Sequence, residues 1–406
     1  MLPEIWTMPG TGWQLKGYGL MMTVGFLSGV YLAMRRALRV KCDPDMVLNC
    51  SLIALIGGVV GSRVFYVVHY WDEQFAQRAD LLFALIDITR GGLEFIGGLL
   101  TATILIVLYV WKKGCSVRVY VDILAVSTMW SLGVARTGCF LNGCCFGGVC
   151  IDPQGHRASA LAVEFPFGSP AAVRQWENRQ ITLPAELIVD GFKPSTTSSL
   201  GHSFPLPREV LSMSDEKRDR PRLEYENARR TLEQAKQMGA DANEIKALAD
   251  DVDSSKQRLE SHRLGSALGA LDLARAYPSR EDPARSSTVG ELRELAAEYP
   301  ARWVHPTQLY SSAAAILLSV FLGRVFHRRK RHGVIFGLML LLYPVMRFII
   351  ESIRADNPLD SFGLTVSQAI AVGMFVVGCV YLFVLYRYFP LRSPRAVPYV
   401  PDVEPA

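Results

Sequence analysis

Residues 133–147 read Gly133-Val-Ala-Arg136-Thr-Gly-Cys139-Phe-Leu-Asn142-Gly-Cys144-Cys145-Phe-Gly147. A membrane-length apolar run reaches an arginine here and passes into a turn-rich loop holding Asn142 and three of the chain's eight cysteines. An arginine at that position is costly unless it faces a partner or a ligand. A second reading lets the side chain reach lipid headgroups along its aliphatic stem. The stretch alone leaves both open.

The apolar pattern recurs along the chain. Half of the 406 residues are hydrophobic and the mean hydropathy is +0.20, too apolar for one ordinary soluble domain. Runs long enough to cross a bilayer fall at about 18–34, 47–70, 91–111, 119–135, 309–326, 333–353 and 366–386. An odd number of crossings puts the termini on opposite sides. The short loops set the direction. Arg35, Arg36, Arg39 and Lys41 follow the first run, Lys112, Lys113 and Arg118 the third, Arg328, Arg329, Lys330 and Arg331 the fifth, and Arg387, Arg392 and Arg395 the last. The alternate segments 71–90 and 354–365 are poorer in Lys and Arg. The N-terminus is therefore expected outside and the C-terminus in the cytoplasm. Only Lys16 precedes the first run and no clean small-residue cleavage site follows it, so it reads as a retained span rather than a signal peptide. The net charge of +5 is modest and gives no reason to expect nucleic acid.

The expected fold is an all-α polytopic membrane protein of seven transmembrane helices with a helical extracytoplasmic insert. Residues 1–148 form helices 1–4 and the loop after them, 149–304 the insert, 305–390 helices 5–7, and 391–406 a cytoplasmic tail. Within the insert, Ala162–Pro170 reads as extended or turn, and 180–210 as a Ser/Thr/Pro/Gly-rich linker. About 215–300 is helical: Ala228, Leu232 and Ala235, then Ile245, Leu248 and Val252, keep helical spacing, with Gly239 between them as a hairpin break. Leu264–Tyr277 and Val289–Tyr299 are expected to add shorter helical pieces.

The topology serves as a ruler. Tyr18, Arg63, Glu94, Arg136, Arg347, Glu351, Ser367 and Gln368 all fall in the outer part of their spans, and His305-Pro-Thr-Gln308-Leu-Tyr310 stands at the outer entry of the fifth. Scattered tolerance of charge would give mixed depths, so a shared depth argues for one polar cavity opening outward. Arg347 and Glu351 share a helix face at i, i+4 and can pair. Three arginines against two glutamates leave a positive surplus, and guanidinium forks take phosphate in bidentate fashion. At headgroup depth the phosphate belongs to a phospholipid.

In this order the motifs resemble those of the prolipoprotein diacylglyceryl transferase family. The matching pieces are Tyr18-Gly-Leu, Gly61-Ser-Arg63, Gly91-Gly-Leu-Glu-Phe-Ile-Gly-Gly98, Gly133 to Gly147, Ala162 to Pro170, His305 to Tyr310, Arg347-Phe-Ile-Ile-Glu351 through Arg354, and Ser367-Gln368. The match covers about 12–170 and 303–388, and the helical insert has no counterpart in the usual pattern. The resemblance implies a bacterial inner-membrane enzyme whose active site faces the outer leaflet. It would move a diacylglyceryl group from phosphatidylglycerol to the lipobox cysteine thiol in the signal peptide of a preprolipoprotein, with no cofactor. By position, Arg136 and Arg347 match essential arginines that would hold the phosphoglycerol headgroup. Tyr18, Arg63, Asn142, Gly147, His305, Gln308 and Tyr343 are the further substrate-binding candidates.

This chain departs from the family at two places. Ile96 stands where the third-span motif often has a histidine proposed as a base, and Cys139 and Cys144 replace an asparagine and a glutamate of the loop. Glu94 is the nearest carboxylate to serve as catalytic base instead, unless the phosphate arginines suffice. A catalytically silent lipid-binding relative and, less favoured, an anion transporter remain as alternatives. Cys139, Cys144, Cys145 and Cys150 at an oxidising face suggest a disulfide bracing the loop. Their spacing is not a standard zinc pattern, so no metal is expected. A free thiol acting as covalent way-station is a third option.

Overall fold

The computed structural model describes residues 4–7, 14–76, 81–86, 92–191, 202–212, 214–239, 241–261, 288–355 and 363–396. Seven helices among them are long and apolar enough to cross a membrane. They are α1 (Gly17–Arg39), α2 (Pro44–His69), α3 (Phe95–Lys112), α4 (Val117–Asn142), α5 (Thr307–Arg328), α6 (Val334–Ile353) and α7 (Val366–Tyr388). At ~1.5 Å per residue the shortest, 18 residues, reaches about 27 Å, close to the hydrocarbon thickness. Local chemistry starts several of them. Asp43 accepts from the Asp45 N–H ahead of Pro44, which takes the first helical position without loss of a donor. Thr365 and Gln368 form a reciprocal capping box that opens α7.

The chain divides into two compact units, one of Leu2–Leu141 with Thr307–Ala406 and one of Asn142–Pro306. In the first, small residues and serines bring the apolar helices together, since hydrocarbon gives little drive for helices to associate. A side chain at Gly133 would strike Ile316 and the Ser312 carbonyl, and one at Gly25 the Ser131 carbonyl. Ser312 Oγ donates to the Gly133 carbonyl at 2.7 Å and Ser319 Oγ to that of Val126 at 2.8 Å.

Two expectations need correction here. Helix α4 does not end at Arg136 but runs on to Asn142, and Glu94 is the residue before α3 rather than part of its first turn. The extension is possible because Gly138 faces the Tyr18 backbone, whose Cα lies 3.2 Å from where a side chain would stand, so α1 closes over the last turns of α4. The second correction is Asp122. It is wholly buried at the opposite, basic end of α4, away from the depth shared by the other charges. Its oxygens accept from the Gly333 N–H (2.8 Å) and the Phe336 N–H (2.9 Å), capping α6, and it pairs with Arg329 at 3.1 Å. That end also carries the main apolar core, including Val47, Ile123, Leu322, Phe326 and Ile335.

The unit Asn142–Pro306 is not a purely helical appendage. Antiparallel pairing joins 147–150 to 303–305: Gly147 N–H donates to the His305 carbonyl at 2.9 Å and Cys150 N–H to that of Trp303 at 2.7 Å. Val163 bridges Val304 on the other side. The stretch read as a linker contains a turn at Ala185–Leu187 and strand Ile188–Gly191, paired antiparallel with His202–Pro205. Leu187, Leu206 and Val210 are fully buried with Phe167, Leu292 and Leu295. Ser/Thr/Pro composition hid these few well-spaced leucines. Helices Asp215–Gln237 and Ala242–Ser261 pack antiparallel about Gly239, whose φ of 69° suits glycine. Residues 264–277 lie outside the described residues; Val289–Ala297 is helical, with Thr288 and Glu291 as its capping box. A further short pair, Glu4–Thr7 with Gln14–Lys16, precedes α1.

Candidate functional site

With α1 to α7 threaded up and down, Tyr18, Arg63, Glu94, Arg136, Gln308, Arg347 and Glu351 belong to helix ends on one side of the bundle. The best-defined chemistry is on α6 and α7. Glu351, its side chain wholly buried, holds Arg347 at 2.9 Å and Arg354 at 3.2 Å, and Thr365 Oγ1 donates to its other oxygen at 3.3 Å. Arg347 also donates to Ser367 Oγ at 3.1 Å. One carboxylate thus fixes two guanidinium groups. Arg136 and Tyr343 lie within electrostatic reach of Arg347. Two arginines that repel each other in a low-dielectric setting are held together by the rest of the fold, and an anion relieves that repulsion.

Arg136 is half-buried and its guanidinium reaches Cys139 Sγ, one turn on, at 4.0 Å. Tyr18 stands beside Gly138 at the start of α1. Gln308 is buried in the first turn of α5, while His305, in the other unit, exchanges backbone bonds with Gly147 and Gly148. Asn142 closes α4 and Gly147 enters the paired strand. The sulfurs of Cys139, Cys144 and Cys145 lie within 4.8 Å of one another, and backbone pairing of 147–150 with 303–305 orders the end of the loop.

Arg63 has a different environment from the other two arginines. Its Nε donates to the Leu85 carbonyl and a terminal nitrogen to that of Gly92, both at 2.9 Å, and it lies over the Tyr66 and Phe75 rings. Gly92 has φ 81° and no room for a side chain against Arg63 and Tyr66. These contacts tie the segment before α3 to α2.

Sequence reading assigned no pairing role to four residues here. Arg354 completes the pair around Glu351, and its i, i+3 spacing was the available signal. Ser367 and Thr365 on α7 are brought in by tertiary packing. His69, the last residue of α2, was passed over entirely. Its Nδ1 lies 3.2 Å from Glu94 Oε2, and the ring stacks on Tyr70 at 4.7 Å. Glu94 is itself placed by its N–H donating to the Ser62 carbonyl at 3.0 Å. Ile96, two residues on, has no titratable group.

The sequence model of the family described as prolipoprotein diacylglyceryl transferase matches residues 3–384. A Rhodopirellula baltica protein named phosphatidylglycerol–prolipoprotein diacylglyceryl transferase is 27% identical over 93% of this chain and 73% of its own length. Proteins of the same name from Streptococcus equi subsp. zooepidemicus and Clostridium tetani are 34% and 29% identical over 33% and 34% of this chain, and about half of each of theirs (50% and 53%). The chain belongs to the prolipoprotein diacylglyceryl transferase family.

Proposed function

We propose that this family member transfers the diacylglyceryl group of phosphatidylglycerol to the lipobox cysteine thiol of a preprolipoprotein signal peptide. The observation that carries the reading is Arg347, fixed by Glu351 and Ser367 and facing the charge of Arg136. In the reaction the cysteine sulfur attacks the glyceryl carbon that bears the phosphate. A C–S bond forms, the C–O bond to phosphate breaks, and the electron pair leaves with glycerol phosphate. Negative charge grows on the leaving phosphate, where preorganised guanidinium groups are most effective.

The thiolate is the reactive form of the nucleophile, so the thiol proton must go to a base. The His69–Glu94 pair supplies one: the imidazole takes the proton and the carboxylate orients it. Arg63 braces the segment leading to Glu94 rather than holding substrate. Tyr18, Asn142, Gly147, His305, Gln308 and Tyr343 keep the substrate-binding roles that the family resemblance implies. The basic short loops support an N-terminus outside, a C-terminus inside, and a site toward the outer leaflet of a bacterial cytoplasmic membrane.

The direct experiment incubates the purified protein in phosphatidylglycerol vesicles with a lipobox peptide. A diacylglyceryl mass increase on the cysteine supports the reading. No increase, with the protein folded, overturns it.

A further inference from the structure

At the basic end of the bundle, opposite the site above, Cys115–Arg118, the last turns of α7 and the tail after it enclose a cavity of about 330 Å³. Ser116, Arg118, Tyr381, Leu385, Phe389 and Arg395 are among its lining residues. Three independent features give it one chemistry. The first is the start of α4, whose 26 residues direct the positive end of their dipole into the cavity at Val117.

The second is Ser116, only 4% exposed, whose hydroxyl is buried on the cavity wall with no hydrogen-bond partner among the described residues. Such a group is destabilising unless an occupant completes it. The third is the pair of guanidinium groups. Arg118 gives one bond to the Pro390 carbonyl at 2.9 Å and packs on Phe389, and a guanidinium has five donors to distribute. Arg395 lines the same cavity.

The walls are fixed rather than collapsed. Arg331 donates to the Leu385 and Phe389 carbonyls, His332 N–H to the Leu391 carbonyl, and Ser393 N–H to His332 Nδ1. Val117, Val384, Leu385 and Phe389 give the lining an apolar wall, and Cys115 and Ser393 complete it.

We infer that this cavity binds the phosphate of an anionic phospholipid in the leaflet at the basic end of the bundle. The phosphate takes Ser116, the α4 N-terminus, Arg118 and Arg395, and the glycerol and upper acyl chain lie on the apolar wall. Basic pockets between transmembrane helices on this side suit such headgroups. The inference does not depend on the transferase reading.

The test uses the full chain in detergent and native mass spectrometry with dioleoyl phosphatidic acid, dioleoyl phosphatidylcholine and inorganic phosphate as separate probes. Wild type is expected to retain one phosphatidic acid at least tenfold more tightly than phosphatidylcholine. Measured in an Arg347→Ala background, where the clamp at the other end is removed, Ser116→Ala and Arg395→Ala, neither of which removes a known contact, should each weaken that binding several-fold. Equal retention of the two lipids, or unaltered binding in both cavity variants, would overturn the site. Inorganic phosphate competing at equal concentration would reassign it to a soluble anion and overturn the lipid.

Discussion

Glu351 and Arg347 are paired at 2.9 Å across one helical turn, with the carboxylate wholly buried and the guanidinium on the open side of the pair. The carboxylate also holds Arg354, so it orients two cations. The pair is thus a mount for a positive group rather than a closed salt bridge. Removing its two halves should give different defects.

Arg347→Ala is expected to lower kcat by about a hundred- to a thousandfold, the usual loss for one preorganised charge-stabilising donor, with the fold retained. Arg136→Ala should do the same. Glu351→Ala instead leaves two guanidinium groups without their buried counter-charge and should destabilise the protein by about 3–5 kcal/mol. Thermal melting in detergent beside a peptide-lipidation assay separates the two outcomes. An active Arg347→Ala enzyme would remove the phosphate role.

His69→Ala and Glu94→Gln should both reduce turnover, the first more. His69→Gln, which keeps a hydrogen bond to Glu94 without a proton acceptor, should be as slow as His69→Ala. A His69→Gln enzyme at wild-type speed would show the pair to be structural.

The helical hairpin should be dispensable with its ends rejoined. Val289 N–H donates to Asp215 Oδ1 at 2.7 Å, so the two ends of the 216–287 excursion are neighbours. Replacing it with a short Gly/Ser linker is expected to leave turnover within about twofold, since each halving of the loop lowers the closure cost by about 0.6 kcal/mol, in the stabilising direction. Extending the deletion through Val289–Ala297 removes Leu292 and Leu295 from a buried core and should unfold that unit. Limited proteolysis and activity together read both results.

The tail should loosen on acidification. His332 sits beside Arg329, Arg118 and Arg392 and is partly buried; burial first, then those charges, lower its pKa to about 4. Neutral, its Nδ1 accepts from Ser393 N–H. Because the folded value lies below the ordinary 6.5, this contribution is complete above pH 6.5 and is lost as pH falls from there toward 4. Hydrogen exchange at 391–396 is expected to quicken across that window and to lose its pH step in His332→Phe.

The seven spans were legible because apolar periodicity over 18 or more residues has few other solutions. The Arg347–Glu351 pair was legible for a similar reason, since a one-turn spacing on a helix fixes proximity. The shared depth of the site residues followed from counting along spans. Asp122 escaped that count because its charge is offset by a helix start and an arginine from distant parts of the chain.

Other features depend on contacts that no local pattern carries. His69 meets Glu94 across two helices and a segment of 24 intervening residues, between positions 69 and 94, because Ser62 and Gly92 bring their ends together. Arg63 has the same residue type and depth as Arg347, yet backbone carbonyls at 85 and 92 occupy it. Strand pairing between 147–150 and 303–305 orders the end of the cysteine loop through contacts that no local pattern carries. Sequence by itself determined the helices, their order and the charges they carry to one end, because periodicity and hydrophobicity act within a helix. Tertiary structure alone decided which partner each of these charges meets, because packing sets which groups come within hydrogen-bond reach.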